Sequence, residues 1–325
     1  MRTDFGARIF AFITINSRMG GTAMSVLDRE RISTLSISDS LGDLQFISFD
    51  VETTGLSPVV ARLVELSGVK FKLFDAQVEI FSSLIDPETP IPPDVSKIHG
   101  ITDDMVAEAP KCSEVVRQFA EWIEDERTVL VAHNAPFDVE FIQVAMTRAR
   151  IERPINHVVD TLPLSRRLLN DAPNHQLKTL VEHLNLEAGG YHRALADSHH
   201  VRNVLERLVA NQEMQTWGCL AEFGCIFPFD QDLYAVEPPA ELLESISCIT
   251  EAIASGNSLS FTYSGYRSFK RIVDPVALIQ SRGNYYLTAY CKKALAERTF
   301  RVDRISKIKT IATGSAPSSP AEAAS

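Results

Sequence analysis

No apolar run in these 325 residues approaches the ~20 needed to cross a bilayer as a helix, so no membrane role is expected. Cysteine is sparse: Cys112, Cys219, Cys225, Cys248 and Cys291 are scattered, odd in number and form no C-x-x-C pair. That argues against a disulfide framework or a zinc ribbon and reads as reduced thiols in a cytoplasmic protein. Excess positive charge is also missing. The net charge is −10, which excludes nonspecific coating of nucleic acid by the whole chain. The apolar stretch Ile9–Ile15 imitates a signal peptide, but Asn16, Ser17 and Arg18 follow it instead of a small-residue cleavage site. Translation starting at Met19 or Met24 accounts for it better than secretion.

Hydrophobic content of 45% and charged content of 23% are those of a globular protein, and the length suits roughly two domains. Residues 1–43 show no sustained period and read as a loose leader. Residues 44–212 read as one α/β domain: a strand at Phe46–Glu52, a hairpin over Arg62–Leu73 and Gln77–Ile85, then alternating helices and short strands. The spacing predicts helices over Ser113–Glu126, Pro136–Ala149 and Ala194–Ala210, and Thr102 is expected to cap a short helix after KIHGIT. Residues 213–240, with Gly218, Gly224, Pro228, Pro238 and Pro239, read as a linker. Short strands with Gly265 and Gly283 between them predict a small β-barrel over 241–311, and 312–325 a disordered tail. Residues 241–311 hold eleven Lys and Arg against six Asp and Glu. That region is cationic by five, and the rest of the chain carries −15.

The chemistry gathers around FISFDVETTGLSP at residues 46–58. In a strand Asp50 and Glu52 share a face, and two like charges there are costly unless something positive offsets them. Asp138 heads a helix whose Phe141, Ile142 and Ala145 share its face, and Asp197 does the same with Val201, Val204 and Leu208. Acids on apolar faces are expensive without partners. Four of them read as ligands converging on metal, and an all-oxygen set selects Mg²⁺ or Mn²⁺ over zinc. His192, five residues before Asp197 and just after Gly189-Gly190, suits a general base on a loop. His199 and His200 read as ordinary surface histidines.

The motifs FDVETTG (49–55), HNAPFD (133–138) and HRALAD (192–197), with KIHGIT (97–102) and VVDTL (158–162), resemble the DEDDh family of 3′–5′ exonucleases, the family of proofreading ε subunits. The resemblance implies an RNase H-like mixed sheet flanked by helices and a two-metal mechanism. Asp50, Glu52 and Asp197 would hold the ion that activates water, Asp50 bridging to a second ion that Asp138 supports, with His192 as base. It also implies that Thr53, Gly55 and Leu56 contact the terminal nucleotide and that His99 lines its pocket. Asp160 falls outside this set, as a structural residue.

The C-terminal region resembles a WYL domain, an Sm-like barrel, through SFTY (260–263), YYL (285–287) and RTFRVDRI (298–305). The resemblance implies a ligand site, often for nucleic acid, built from Tyr263, Tyr266, Tyr285, Arg298, Arg301 and Arg304. The function expected is release of nucleoside 5′-monophosphates from single-stranded DNA or RNA 3′ ends, using two divalent ions, alone or with a polymerase or repair partner. The alternative is a non-catalytic regulatory protein in which the same fold only senses nucleic acid.

Overall fold

A computed structural model describes residues 35–312 apart from 124, 188–192, 234, 266 and 267. The described residues fall into two compact units, 35–233 and 235–312.

The first unit is a six-stranded mixed sheet between two layers of helices. Its strands are β1 (Phe46–Thr53), β2 (Leu63–Phe71), β3 (Val78–Leu84), β4 (Val129–Ala132), β5 (His157–Asp160) and β6 (Ile226–Pro228), in the order β3-β2-β1-β4-β5-β6. β1, β4 and β5 run parallel, while β2, β3 and β6 run antiparallel to their neighbours. Alternation along β1 feeds both layers. Phe46 enters one core with Val69, Phe71, Val201, Val204 and Leu208. Ile47 and Phe49 enter the other with Leu66, Phe119, Phe141 and Ile142. Each fully buried apolar side chain contributes about 1.5–3 kcal/mol, so the two layers fix the register of β1 firmly.

Up to residue 211 the described residues of this unit form seven helices: α1 (Pro93–His99), α2 (Asp103–Val106), α3 (Cys112–Ile123), α4 (Pro136–Ala149), α5 (Thr161–Leu168), α6 (Leu177–His183) and α7 (Ala194–Asn211). α3 buries Val115, Val116, Phe119 and Ile123. Its Trp122 lies so close to β2 that a Cβ at Gly68 would meet the indole at 3.0 Å, which is why glycine stands there. Thr102 occupies the position before α2 but its side chain makes no capping bond. Asp103 in the next position instead accepts the Ile91 N–H at 2.9 Å.

Three stretches depart from the sequence expectation. Residues 35–43 belong to the fold: Leu35 and Leu41 are buried, and Ser40 bridges Thr216. In the stretch read as a linker, Trp217–Ala221 forms a further helix (α8) and Ile226–Pro228 adds the edge strand β6, burying Trp217, Leu220 and Phe229. Finally, α4 is buried along Asp138–Met146 on more than its apolar face. Its Gln143 amide donates to the carbonyls of Phe229 and Gln231, so the chain after β6 covers the polar side.

The second unit is a five-stranded antiparallel sheet with a helix, α9 (Leu243–Ser255), packed on it. The order is β10-β9-β8-β7-β11, with β7 at Ser258–Ser264, β8 at Ser268–Ser281, β9 at Asn284–Cys291, β10 at Ala296–Arg301 and β11 at Ile305–Ile311. β8 is 14 residues long and bends at an irregularity between Pro275 and Ala277, where proline cannot donate to the ladder. No described helix is long and apolar enough to cross a membrane.

Candidate active site

The parallel strands set the site's position. β1 pairs with β4 only as far as Ser48, opposite Val131, so β1 runs on beyond the end of its neighbour. The released Val51 N–H is taken by Asp138 Oδ1 at 3.2 Å, which ties the start of α4 to the middle of the D-x-E motif. Asp160, ending β5, accepts the backbone N–H groups of Asn134 (2.9 Å) and Leu162 (3.0 Å). It thereby holds Asn134, whose φ is 62°, in the left-handed turn that leads into α4. Asp160 is a positioning group for the turn before Asp138.

Asp50 and Glu52 share the strand face that Phe46 occupies, the face covered by α7. Asp197 sits in the first turn of α7. One carboxylate oxygen each from Asp50, Glu52 and Asp197 lies within 4.8 Å of the others. Ser198 locks the helix there, its hydroxyl reaching Ser67 O at 3.2 Å and Ala194 O at 2.7 Å. The electrostatics are those of crowded anions. Burial, then Asp138, Glu52 and Asp197, hold Asp50 well above the usual carboxylate range. Burial, with Asp197 and Glu65, pushes Glu52 up to about 8, and Arg193 pulls the other way. Asp138 is raised chiefly by burial, against the Val51 hydrogen bond. Such acids ionise together at neutral pH only if positive charge joins them. An all-oxygen set of this kind suits a hard divalent cation, so residues and group fit.

The other expected residues are placed as follows. Thr53 is buried, donates to Gly55 O at 2.7 Å and fixes the turn after β1. Leu56 is 78% exposed just beyond that turn, an apolar side chain held out in water. His99 is buried, and its Nδ1 accepts the Ile101 N–H at 3.0 Å. Burial lowers its pKa, so the ring is neutral and carries its proton on Nε2. His192 and Tyr266 lie outside the described residues. His199 shows burial lowering its pKa, and His200, read as a surface residue, is buried.

In the C-terminal unit, Tyr285 is core: it is 3% exposed and donates its hydroxyl to Val236 O at 2.8 Å. Tyr263 packs edge-on against Phe300, ring centres 5.1 Å apart, and its hydroxyl accepts the Arg301 N–H at 3.3 Å. Arg301 forks onto Asp303 at 3.1 and 2.6 Å. Arg298 contacts the carbonyl of Glu297, and Arg304 is exposed.

One group near the acids was not legible in the sequence. Glu65 on β2 is the cross-strand partner of Glu52. Its side chain is 2% exposed, pairs with Arg193 and accepts the Ala194 N–H. The residues are 128 apart in the chain, so no local pattern links them.

A mixed sheet with an acid cluster at the end of its central strand, flanked by two helix-borne aspartates, is the frame of a nuclease domain. Residues 47–205 match the RNase T family, described as exonuclease, and residues 244–310 match the WYL domain. The chain belongs to this exonuclease family and carries a WYL domain after it. It is 37% identical over 178 residues to the DNA polymerase III subunit epsilon of Treponema pallidum, covering 54% of this chain and 81% of that protein. It is 41% identical over 158 residues to the PolC-type DNA polymerase III of Bacillus cereus, covering 49% of this chain but 11% of that polymerase. The chain thus spans about a tenth of the length of the PolC-type relatives it matches. A solved structure of exonuclease X in complex with 5′ overhanging duplex DNA aligns with TM-score 0.43 and 26% identity, over 55% of this chain and 98% of that one.

Proposed function

We propose that this protein is a divalent-cation-dependent 3′–5′ exonuclease that hydrolyses the terminal phosphodiester of a DNA strand and releases nucleoside 5′-monophosphates. The observation that carries the reading is the approach of Asp50, Glu52 and Asp197 to within 4.8 Å, with Asp138 bonded to the strand between the first two. Mg²⁺ or Mn²⁺ at that cluster would lower the pKa of the attacking water and offset charge on the attacking and leaving oxygens, as in two-metal sites. The chain's own residues do the rest. Asp50, Glu52 and Asp197 present oxygens from one strand face and one helix start, and Asp138 approaches from the opposite layer. Thr53, Gly55 and the exposed Leu56 form the turn against which a terminal base would stack, and neutral His99 lines its pocket. His192, in the motif HRALAD, takes the proton from the attacking water. DNA is preferred over RNA as substrate because the relatives that resemble this domain are named as DNA polymerase subunits. The WYL domain recruits the strand.

The test is hydrolysis of 5′-labelled single-stranded DNA, duplex DNA and RNA of matched sequence, with Mg²⁺, with Mn²⁺ and with chelator. The reading expects shortening from the 3′ end that chelation abolishes. Binding without any turnover would favour the sensing role instead, and faster RNA shortening would reverse the substrate assignment.

A further inference from the structure

Beside the acid cluster stands a charged pair that the catalytic reading does not use. Glu65 is almost fully buried, lies opposite Glu52 on the neighbouring strand and shares the strand face covered by α7. A buried carboxylate next to three others would be expected to be excluded from such a place unless strongly compensated. Among the described residues, its hydrogen bonds come from the start of α7. Arg193 grips it with two parallel bonds, Nε to Oε2 at 3.1 Å and Nη2 to Oε1 at 2.8 Å, and the Ala194 N–H donates to Oε2 at 3.0 Å. The Arg193 carbonyl in turn accepts the Asp197 N–H at 3.0 Å, so the residue that grips Glu65 also begins the turn that carries Asp197. Arg193 at the N-cap position makes no capping bond with its own side chain. Glu65 therefore supplies, from another strand, the acceptor that an N-terminal helix turn normally obtains locally.

We propose that Glu65 and Arg193 are positioning residues for the cation site: the fork of the half-exposed Arg193 onto the buried Glu65 carboxylate fixes the first turn of α7 against β2, and so fixes where Asp197 meets Asp50 and Glu52. This rests on the cation-site reading above. The pair also suits the local charge, since Arg193 offsets Glu65 and leaves the three cluster acids to the cation. A bidentate guanidinium–carboxylate pair restrains direction as well as distance, which a lysine would not do.

Charge and position predict opposite signs for one variant, and this makes the inference testable. If Arg193 acted only through its charge, Arg193→Ala would remove a cation's competitor and tighten Mn²⁺ binding. If it positions Asp197, the same change loosens binding, by about 10–100-fold, the usual effect of losing a group that orients a metal ligand. The measurement is calorimetric titration of the full chain with Mn²⁺ alone, with circular dichroism to show that each variant is folded. Arg193→Ala strands a buried carboxylate at a cost to folding, so a second variant is needed. The double variant Glu65→Gln/Arg193→Gln keeps the net charge and an amide–amide contact, and it is expected to fold and to lose the same 10–100-fold. In an Asp197→Asn background, either change is expected to add nothing further, because the pair acts through Asp197. Wild-type affinity in the double variant, or tighter binding by folded Arg193→Ala, would overturn the inference. Failure of the underlying reading looks different: the wild type would bind no Mn²⁺, or Asp50→Asn would bind it as well as wild type.

Discussion

The two units of this protein spend their charged residues in opposite ways. In the first, Asp50, Glu52, Asp138 and Asp197 are drawn into a partly or fully buried cluster of one sign, and burial is the largest cause of the shift for Asp50, Glu52 and Asp138. In the second, charges stay at the surface and find local partners: Arg301 with Asp303, Lys292 with Asp274 at 3.2 Å. Surface pairs of that kind contribute little to stability, about 0–1 kcal/mol each. Residues 241–311 still carry five more Lys and Arg than Asp and Glu. Crowded buried charge is therefore suited to holding a small ion tightly at one point, and dispersed charge to attracting a long one loosely.

The contrast breaks most completely at the cluster. Asp50→Ala or Asp138→Ala is expected to leave a folded protein with nuclease activity at background, checked by the labelled-strand assay in Mg²⁺ and in Mn²⁺. Wild-type turnover by either variant would remove the assignment. His192→Ala is expected to slow the chemical step by roughly 10²–10⁴-fold while strand and Mn²⁺ binding persist. Single-turnover rates beside a binding titration separate the two: lost binding with unchanged chemistry would make His192 a substrate contact instead.

The sequence made the cluster legible because its logic is local. D-x-E shares a face by the period of a strand, and Asp138 and Asp197 stand out because acids rarely open an apolar helical stripe. What escaped was held by distant partners. Glu65 looks like an ordinary strand residue until Arg193 is seen to reach it. Gln143 looks like the solvent side of α4 until the chain after Pro228 covers it. β6 itself is three residues, one of them proline, too short to show a period. In the second unit, the consecutive Tyr285 and Tyr286 of β9 lie on opposite faces and the sequence does not say which face is inside; Tyr285 is the core one.

A smaller effect follows from the raised carboxylates. Glu52 has a folded pKa of about 8 against an ordinary 4.5, so between those values the folded state holds a proton that the unfolded state has released. Stability of the cation-free protein is then fullest below pH 4.5 as far as this group is concerned, and falls as pH rises toward 8. Glu52→Gln is expected to flatten that part of the profile and to raise the melting temperature of cation-free protein at pH 8. A gain of about 1 kcal/mol would read as roughly 2–4 °C for a unit of this size. Mn²⁺ added to wild type at pH 8 is expected to stabilise it too, and to do less for the variant. Parallel pH profiles for wild type and Glu52→Gln would mean that the repulsion is relieved in some other way.

The smallest expected effect belongs to the second unit and sharpens the comparison from its other side. If the WYL domain recruits a strand through phosphate contacts, each contact releases counterions and adds about 0.7 to the steepness of the salt dependence for single-stranded nucleic acid. The arginines there are not equivalent. Arg301 already gives its Nε and Nη2 to Asp303, and that pair is close to neutral seen from a distance. Arg298 donates to a neighbouring carbonyl through Nη1 and has no carboxylate partner among the described residues, and Arg304 is exposed, so both keep their charge for a ligand. Arg298→Ala/Arg304→Ala in the full chain is therefore expected to flatten the log–log salt slope by about 1.4, two contacts' worth. Arg301→Ala should change it less, because the freed Asp303 repels the strand but a committed guanidinium was not contributing a full contact. Fluorescence anisotropy of a labelled oligonucleotide across a salt series, with Asp50→Asn throughout to prevent cleavage, measures all three slopes. If the Arg298/Arg304 slope matches that of the parent, the surface charge of this unit serves a small ligand or a protein, and recruitment of the strand falls to the catalytic unit alone.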